Sequence, residues 1–258
     1  MSTTATSLRP AGTAGTANRG KDRSGWILPV IAAALVVGTL VYIRTATLDS
    51  IEARALTTDV LLKQFSEHVS LVAVSTVVVI AIGIPAGILL SRPWARYLRP
   101  PALTLANAGQ AIPSIGILVL LALVYGVGFR MAVVALVVYA LLPILRNTIV
   151  GLQQVSPFVI DAARGMGMSA RRILLTVELP LAVPVMLAGI RVSLILNVGV
   201  ATLATYTNAG GLGDLIERGI VLNRMPILMA GCLLTIALAL VVDWLAGLIE
   251  RRLRPKGI

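Results

Sequence analysis

The chain has 258 residues, of which 57% are hydrophobic and 13% charged, with a mean hydropathy of +0.93. Soluble domains carry about 25% charged residues, so this composition excludes an ordinary water-soluble fold and indicates one membrane domain. The formal net charge of +11 does not indicate nucleic-acid binding, because only 4% of residues are aromatic and no basic patch is interleaved with them.

In chain order, residues 1–25 are Thr, Ala, Gly and Ser with scattered charge, too poor in apolar side chains to fold, and are expected to be a disordered cytoplasmic extension. Arg19, Lys21 and Arg23 precede Trp26, and no small-residue cleavage site follows the apolar run, which reads as a retained signal-anchor helix. A helix needs about 20 apolar residues to cross the hydrocarbon core. Six segments meet that length approximately: 26–43, 69–90, 103–125, 130–148, 184–206 and 226–249, followed by a short tail at 255–258. The sequence thus predicts an all-α membrane protein of about six transmembrane helices. Pro85, Pro113, Pro143 and Gly199 fall inside these runs, where neighbouring helices can satisfy the freed backbone groups. Trp26, Trp94 and Trp244 lie near span ends as interfacial anchors. Cys232 is the one cysteine and His68 the one histidine, so neither a disulfide nor a Cys- or His-based metal site can be assembled within the chain.

Lysine and arginine placement sets the orientation. With the N-terminus in the cytoplasm, the inside segments hold Arg9, Arg19, Lys21, Arg23, Arg92, Arg96, Arg99, Arg146, Arg164, Arg171, Arg172, Arg251, Arg252, Arg254 and Lys256. The outside segments hold only Arg44, Arg54, Lys63, Arg130, Arg218 and Arg224, and Arg191 lies within a span. This bias predicts both termini inside, and segments 44–68 and 207–225 outside.

Between two apolar spans lies a polar, helix-forming stretch at 156–180. Ser156-Pro157 reads as an N-cap and first helical position, Gly165 and Gly167 as the helix end, and Ser169 as the cap of a second short helix carrying Arg171 and Arg172. Leu179-Pro180 is expected to break that helix before the next span. The order Asp161-Ala162-Ala163, three residues, Gly167, nine residues, Val177, one residue, Leu179-Pro180 resembles the EAA loop of ABC-importer permeases, with Asp for Glu and Val for Ile. The likeness continues through Gln110 to Ser114, Tyr139 to Thr148, Ala162 to Met168, Leu187 to Arg191 and Ala209 to Asp214. Over about residues 60–254 the chain is similar to permeases of the glycine betaine/carnitine/choline branch of type I importers. That resemblance implies a fold of the type I permease kind and alternating access. Asp161, Ala162, Ala163, Arg164, Gly165 and Gly167 would couple to the ATPase. The implied partners are two ABC ATPase subunits, a separate extracytoplasmic substrate-binding protein and a second permease chain, identical or a sister subunit, in the cell membrane with its lipid.

The chain lacks G-x-x-x-x-G-K-[ST], H-E-x-x-H and G-x-S-x-G, so no catalytic residue and no cofactor is expected. Asn107, Gln110 and Ser114 fall at i, i+3 and i+7 of the third span, and Pro113 should kink it. They read either as one wall of a substrate path or as interhelical hydrogen-bonding groups. Ser193 and Asn197, at i and i+4 of the fifth span, carry the same two readings. Gly210, Gly211 and Gly213 form either a flexible gate or a plain helix-terminating turn. Arg191 lies seven residues past Pro184 and Asp243 seven before Glu250, about 10 Å from the same membrane face in each case. Equal depth makes them a candidate ion pair, against the reading that Arg191 snorkels to the surface. An importer permease for osmoprotectants is the leading function. Methionine or another amino acid is the alternative solute, and an ion-coupled secondary transporter is the alternative class, which needs intramembrane carboxylates and paired repeats.

Overall fold

A computed structural model describes residues 26–253, which are largely helical with no strand among them. Expectations for 1–25 and 255–258 lie outside these residues. The long helices are α1 (Ile27–Thr45), α3 (Thr58–Ser91), α6 (Phe129–Gln153), α9 (Leu179–Ala201) and α11 (Met225–Leu253). Each is long and apolar enough to cross a membrane. Shorter helices connect them: α2 (Ser50–Ala55), α4 (Arg99–Ala111), α5 (Ser114–Tyr125), α7 (Pro157–Gly165), α8 (Ala170–Ile173) and α10 (Gly213–Val221).

Helix directions follow from which residues touch. Gly83 lies against Leu141 and Ile144, and Gly87 against Leu145 and Thr148, so α3 and α6 run parallel. Gly151 lies against Ala182 and Val185, and Gly189 against Pro143 and Asn147, so α9 is antiparallel to α6. A Cβ at Gly87 would sit 2.6 Å from the Thr148 Cβ, and one at Gly189 2.8 Å from the Pro143 carbonyl oxygen. Lipid gives no hydrophobic drive to helix association, so backbone contact of this kind is what packs such helices. α1 lies against α11, with the Trp26 and Trp244 rings 6.0 Å apart, and exposes Val30, Val37, Leu40 and Val41.

The expected single span at 103–125 is two helices bent by 92°. Ile112 is extended, because the Pro113 ring disfavours the helical region for the residue before it. α4 runs alongside α6, with Gly109 beside Val138, and α5 then turns off toward the segment that ends α9. Because α3 and α6 are parallel, this bent pair returns the chain to the other end of the bundle.

Two further expectations change. Segment 44–68, which lies outside the expected spans, is mostly helical. Asp49 caps α2, its Oδ1 accepting from the Ile51 and Glu52 N–H groups, and its carboxylate meets Arg224 at 2.8 Å. α3 then begins at Thr58 and runs for 34 residues. Pro180 does not break its helix. It sits in the first turn of α9, and π-type turns at Leu174–Glu178 join α8 to α9 without a gap. The missing proline N–H leaves a carbonyl one turn back without its donor, and wider turns accommodate that locally.

Gly189→Ala should lower the thermal stability of the purified protein, by about 1–3 kcal/mol if the helices part slightly, since the nearest obstacles are the Asn147 Cβ, which cannot rotate away, and the Pro143 carbonyl oxygen. Gly38→Ala, where a Cβ meets nothing within 4 Å, should leave the melting temperature unchanged; equal melting of the two variants would refute close packing at Gly189.

Candidate functional site

One end of the bundle carries a helical knob made by α7 and α8. Ser156 occupies the N-cap of α7 through its carbonyl, which accepts from Val159 N–H at 3.1 Å, while its side chain makes no cap bond. α7 ends on paired bonds: Met168 N–H to the Ala163 carbonyl at 3.2 Å, and Gly167 N–H to the Arg164 carbonyl at 2.9 Å. This Schellman closure requires a left-handed residue, and Gly167 supplies it at φ +78°. Gly165 is simply the last helical residue. The Ser169 hydroxyl then caps α8, accepting from Arg172 N–H at 3.4 Å.

Ala163 is buried and anchors the knob, while Asp161, Ala162, Arg164, Gly165 and Gly167 are exposed. Asp161 and Arg164 pair at 3.1 Å with both side chains about two-thirds exposed (67% and 68%), too solvated to stabilise the fold much. Phe158 (86% exposed) and Met166 (75%) stand out beside them. A polar, charge-bearing helix pair with bare apolar side chains is a surface built to be covered. Beneath it lies a crevice of about 320 Å³, floored by Arg92 and Glu178 and walled by Gln153, Asp161 and Arg164. Arg92 Nη2 donates to Glu178 Oε2 at 2.5 Å. Neither residue was singled out in the sequence; Glu178 stands between the Val177 and Leu179 of the loop pattern, but only the fold brings Arg92 to it.

The polar residues of the spans separate into two groups. Asn107 is exposed, and Gln110 Nε2 donates to the Tyr139 carbonyl at 2.8 Å. Ser114 begins α5, so the bend takes it off the face it would share with them in a continuous helix. Ser193 and Asn197 are fully buried between helices. Ser193 Oγ donates to the Ala140 carbonyl at 2.7 Å, and Asn197 Nδ2 reaches the Ser75 and Thr76 hydroxyls at 3.1 and 3.2 Å.

At the opposite end, the glycine turn is packed rather than loose. Gly210 (φ +77°) and Gly211 (φ +101°) adopt conformations few other residues take, and the Gly211 N–H donates to Glu67 Oε2 at 3.1 Å. Gly213 is helical and buried, pressed on the Thr202 carbonyl. Glycine serves here to reach positive φ and close approach. Among the described residues no group of His, Cys, Asp and Glu is placed to hold a metal.

Arg191 and Asp243 come together. Arg191 Nη2 donates to Asp243 Oδ2 at 2.8 Å, and Nε donates to Oδ1. Glu250, two turns further along the same face of α11, lies 3.6 Å from Nη1. Gly247 leaves a seat for the guanidinium between the two acids. Arg191→Asp would gather three carboxylates and should lower yield and stability, by less than the about 3–5 kcal/mol of a fully buried pair because Arg191 is partly exposed. Adding Asp243→Arg should recover most of that loss, measured as monodisperse protein after extraction; no recovery would mean the pair contributes nothing beyond its separate residues.

The chain matches the family described as binding-protein-dependent transport system inner membrane component over residues 83–255. The osmoprotectant import permease protein OsmY of Salmonella typhimurium is 42% identical over 191 residues, covering 74% of this chain and 81% of that one. The carnitine transport permease protein OpuCB of Listeria monocytogenes is 39% identical over 198 residues, covering 77% and 90%. Among solved structures, an inward-facing MetNI methionine ABC transporter superposes with a TM-score of 0.68 at 26% identity, covering 75% of this chain and 95% of that one. A bacterial alginate ABC transporter shares the fold at a TM-score of 0.60 and 15% identity. The packed apolar helices, the knob with its left-handed glycine and these likenesses together place the chain in the family of binding-protein-dependent transport system inner membrane components, as a multi-pass permease.

Proposed function

We propose that this permease is the translocating subunit of an ABC importer for osmoprotectants of the glycine betaine, carnitine and choline type. The knob faces the cytoplasm, both termini lie inside, and the Glu67–Gly211 end faces outward. The observation that carries the coupling role is the Schellman-closed knob displaying Asp161, Arg164, Phe158 and Met166. Two ATPase subunits dock there and hydrolyse ATP, the chain itself contributing no catalysis. Solute arrives on a separate binding protein. The charge bias of the loops supports this orientation independently.

A second permease chain, identical or a sister, covers the bend at Ala111–Pro113. These residues are exposed on a single chain, and irregular backbone at membrane depth is tolerated only against protein or a wet cavity. Asn107, Gln110 and Ser114 border that side and line the path, whereas Ser193 and Asn197 hold the helices together. The solute assignment rests on relatives named for osmoprotectant import and carnitine transport at 36–42% identity, against 26% for the methionine transporter.

Gly167→Val should insert normally yet lose uptake of labelled glycine betaine, carnitine or choline, because a left-handed β-branched residue costs about 1–3 kcal/mol and nothing else crowds the position. Normal uptake at normal expression would remove the coupling role. In cells, a cysteine at Asp59 should react with an impermeant thiol reagent while cysteines at Arg96 and Arg171 stay protected; the reverse pattern would invert the orientation.

A further inference from the structure

α3 and α9 are antiparallel and are joined by polar contacts at both ends. At the knob end, Arg92 at the close of α3 holds Glu178 at the start of α9, 86 residues away in the chain, at 2.5 Å. Glu178 is buried and Arg92 three-quarters so, which makes this contact charge-assisted and poorly screened. Near the opposite end, Asn197 is tied to Ser75 and Thr76. One step further, His68 Nε2 lies 3.1 Å from the Val198 carbonyl. A carbonyl only accepts, so this nitrogen carries the proton. The carbonyl is free because α9 tightens there: the Thr202 N–H turns to Gly199, and a 3₁₀ segment runs to Thr207. Glu67, the next residue of α3, holds the Gly211 N–H beyond that segment. Adjacent residues of α3 therefore bracket the tightened end of α9 from both sides.

From Glu178 to Val198 a helix rises about 30 Å, the thickness of the hydrocarbon core. α9 is also continuous with α8 of the knob through the π-type turns. The geometry points to a transmission rod: Arg92–Glu178 at one end, and Glu67, His68 and Asn197 at the other, are positioning residues that make α3 and α9 one rigid body, so that displacement of the knob is delivered to the glycine turn at 208–211. This rests on the importer reading for its purpose, though not for its mechanics. A sliding pair of helices would not need ties at both ends of the membrane, and the close glycine contacts of α6 with each of them leave little room for slip.

Spin labels test the rod in the full chain in nanodiscs, with Cys232→Ala and cysteine pairs at Leu89 and Leu175 (knob end) and at Ser66 and Tyr206 (opposite end), all exposed positions. Both distances should be single, narrow and the same with and without the ATPase subunit and ATP. Glu178→Ala should broaden the Leu89–Leu175 distribution, and in the reconstituted importer lower glycine betaine uptake about tenfold while leaving ATPase binding intact. The exchange Arg92→Glu with Glu178→Arg should narrow the distribution and restore uptake, which a general folding defect would not allow. A shift of about 5 Å, one helical turn, in either distance on adding ATP, or a narrow distribution and normal uptake in Glu178→Ala, would overturn the rod. A third pair at Tyr206 and Met229 of α11 reports on the importer reading alone: without an ATP response there, that reading fails while the other two distances, from α3 to the segments flanking α9, still decide the rigid-body claim.

Discussion

The close approach of α6 to two neighbours, through Gly83 and Gly87 on α3 and through Gly189 on α9, is the constraint on which the rest depends. Where these side chains are reduced to hydrogen, backbone meets side chain and carbonyl at distances that even one added carbon would violate. That proximity is what lets short polar groups work. The Ser193 hydroxyl reaches the Ala140 carbonyl, and the Asn197 amide reaches two hydroxyls on α3, only because the helix axes are close. In lipid such bonds are individually modest, about 0.6–2 kcal/mol, so dispersion over the tight seam must supply much of the cohesion.

The two ends of this three-helix centre are built differently. At the knob end, charge sets the geometry: Arg92 meets Glu178, and Arg99 donates to the carbonyls of Leu90 and Ser91, closing the end of α3. At the opposite end, backbone conformation sets it. Asn208, Gly210 and Gly211 take positive φ within four residues, and helix tightening frees a carbonyl for His68. The Arg191–Asp243–Glu250 group stands apart, fastening α9 to α11 on another face.

The sequence was legible where one local rule decides the outcome. Apolar run length found the five long helices but read the bent pair at 99–125 as one span, and the bar on L-residues at positive φ identified Gly167 as the turn of the knob. Constant helix rise put Arg191 and Asp243 at equal depth, though it did not reveal Glu250 as a second partner. It was less legible where packing decides. Pro113 announced a kink but not its angle of 92°, because proline forbids the straight path without choosing the new one. The glycines at 210–213 read equally as a flexible gate or a plain turn, because sequence does not separate glycine used for freedom from glycine used for fit. Arg92–Glu178 and Glu67–Gly211 were invisible, since contacts 86 and 144 residues apart leave no periodic trace.

The length of α3 has one more consequence. Its 34 residues extend about 51 Å, against a hydrocarbon core of about 30 Å. The excess is charged at the Thr58 end, where Asp59, Lys63 and Glu67 follow one another at helical spacing. Those side chains incur no insertion penalty if that end simply stands out of the bilayer. Protrusion relieves the mismatch without requiring tilt. The helix becomes a mast whose base is gripped by lipid and neighbours and whose upper part holds the glycine turn just beyond the hydrocarbon core, so the height of that turn is set by protein length and not by the thickness of the surrounding membrane.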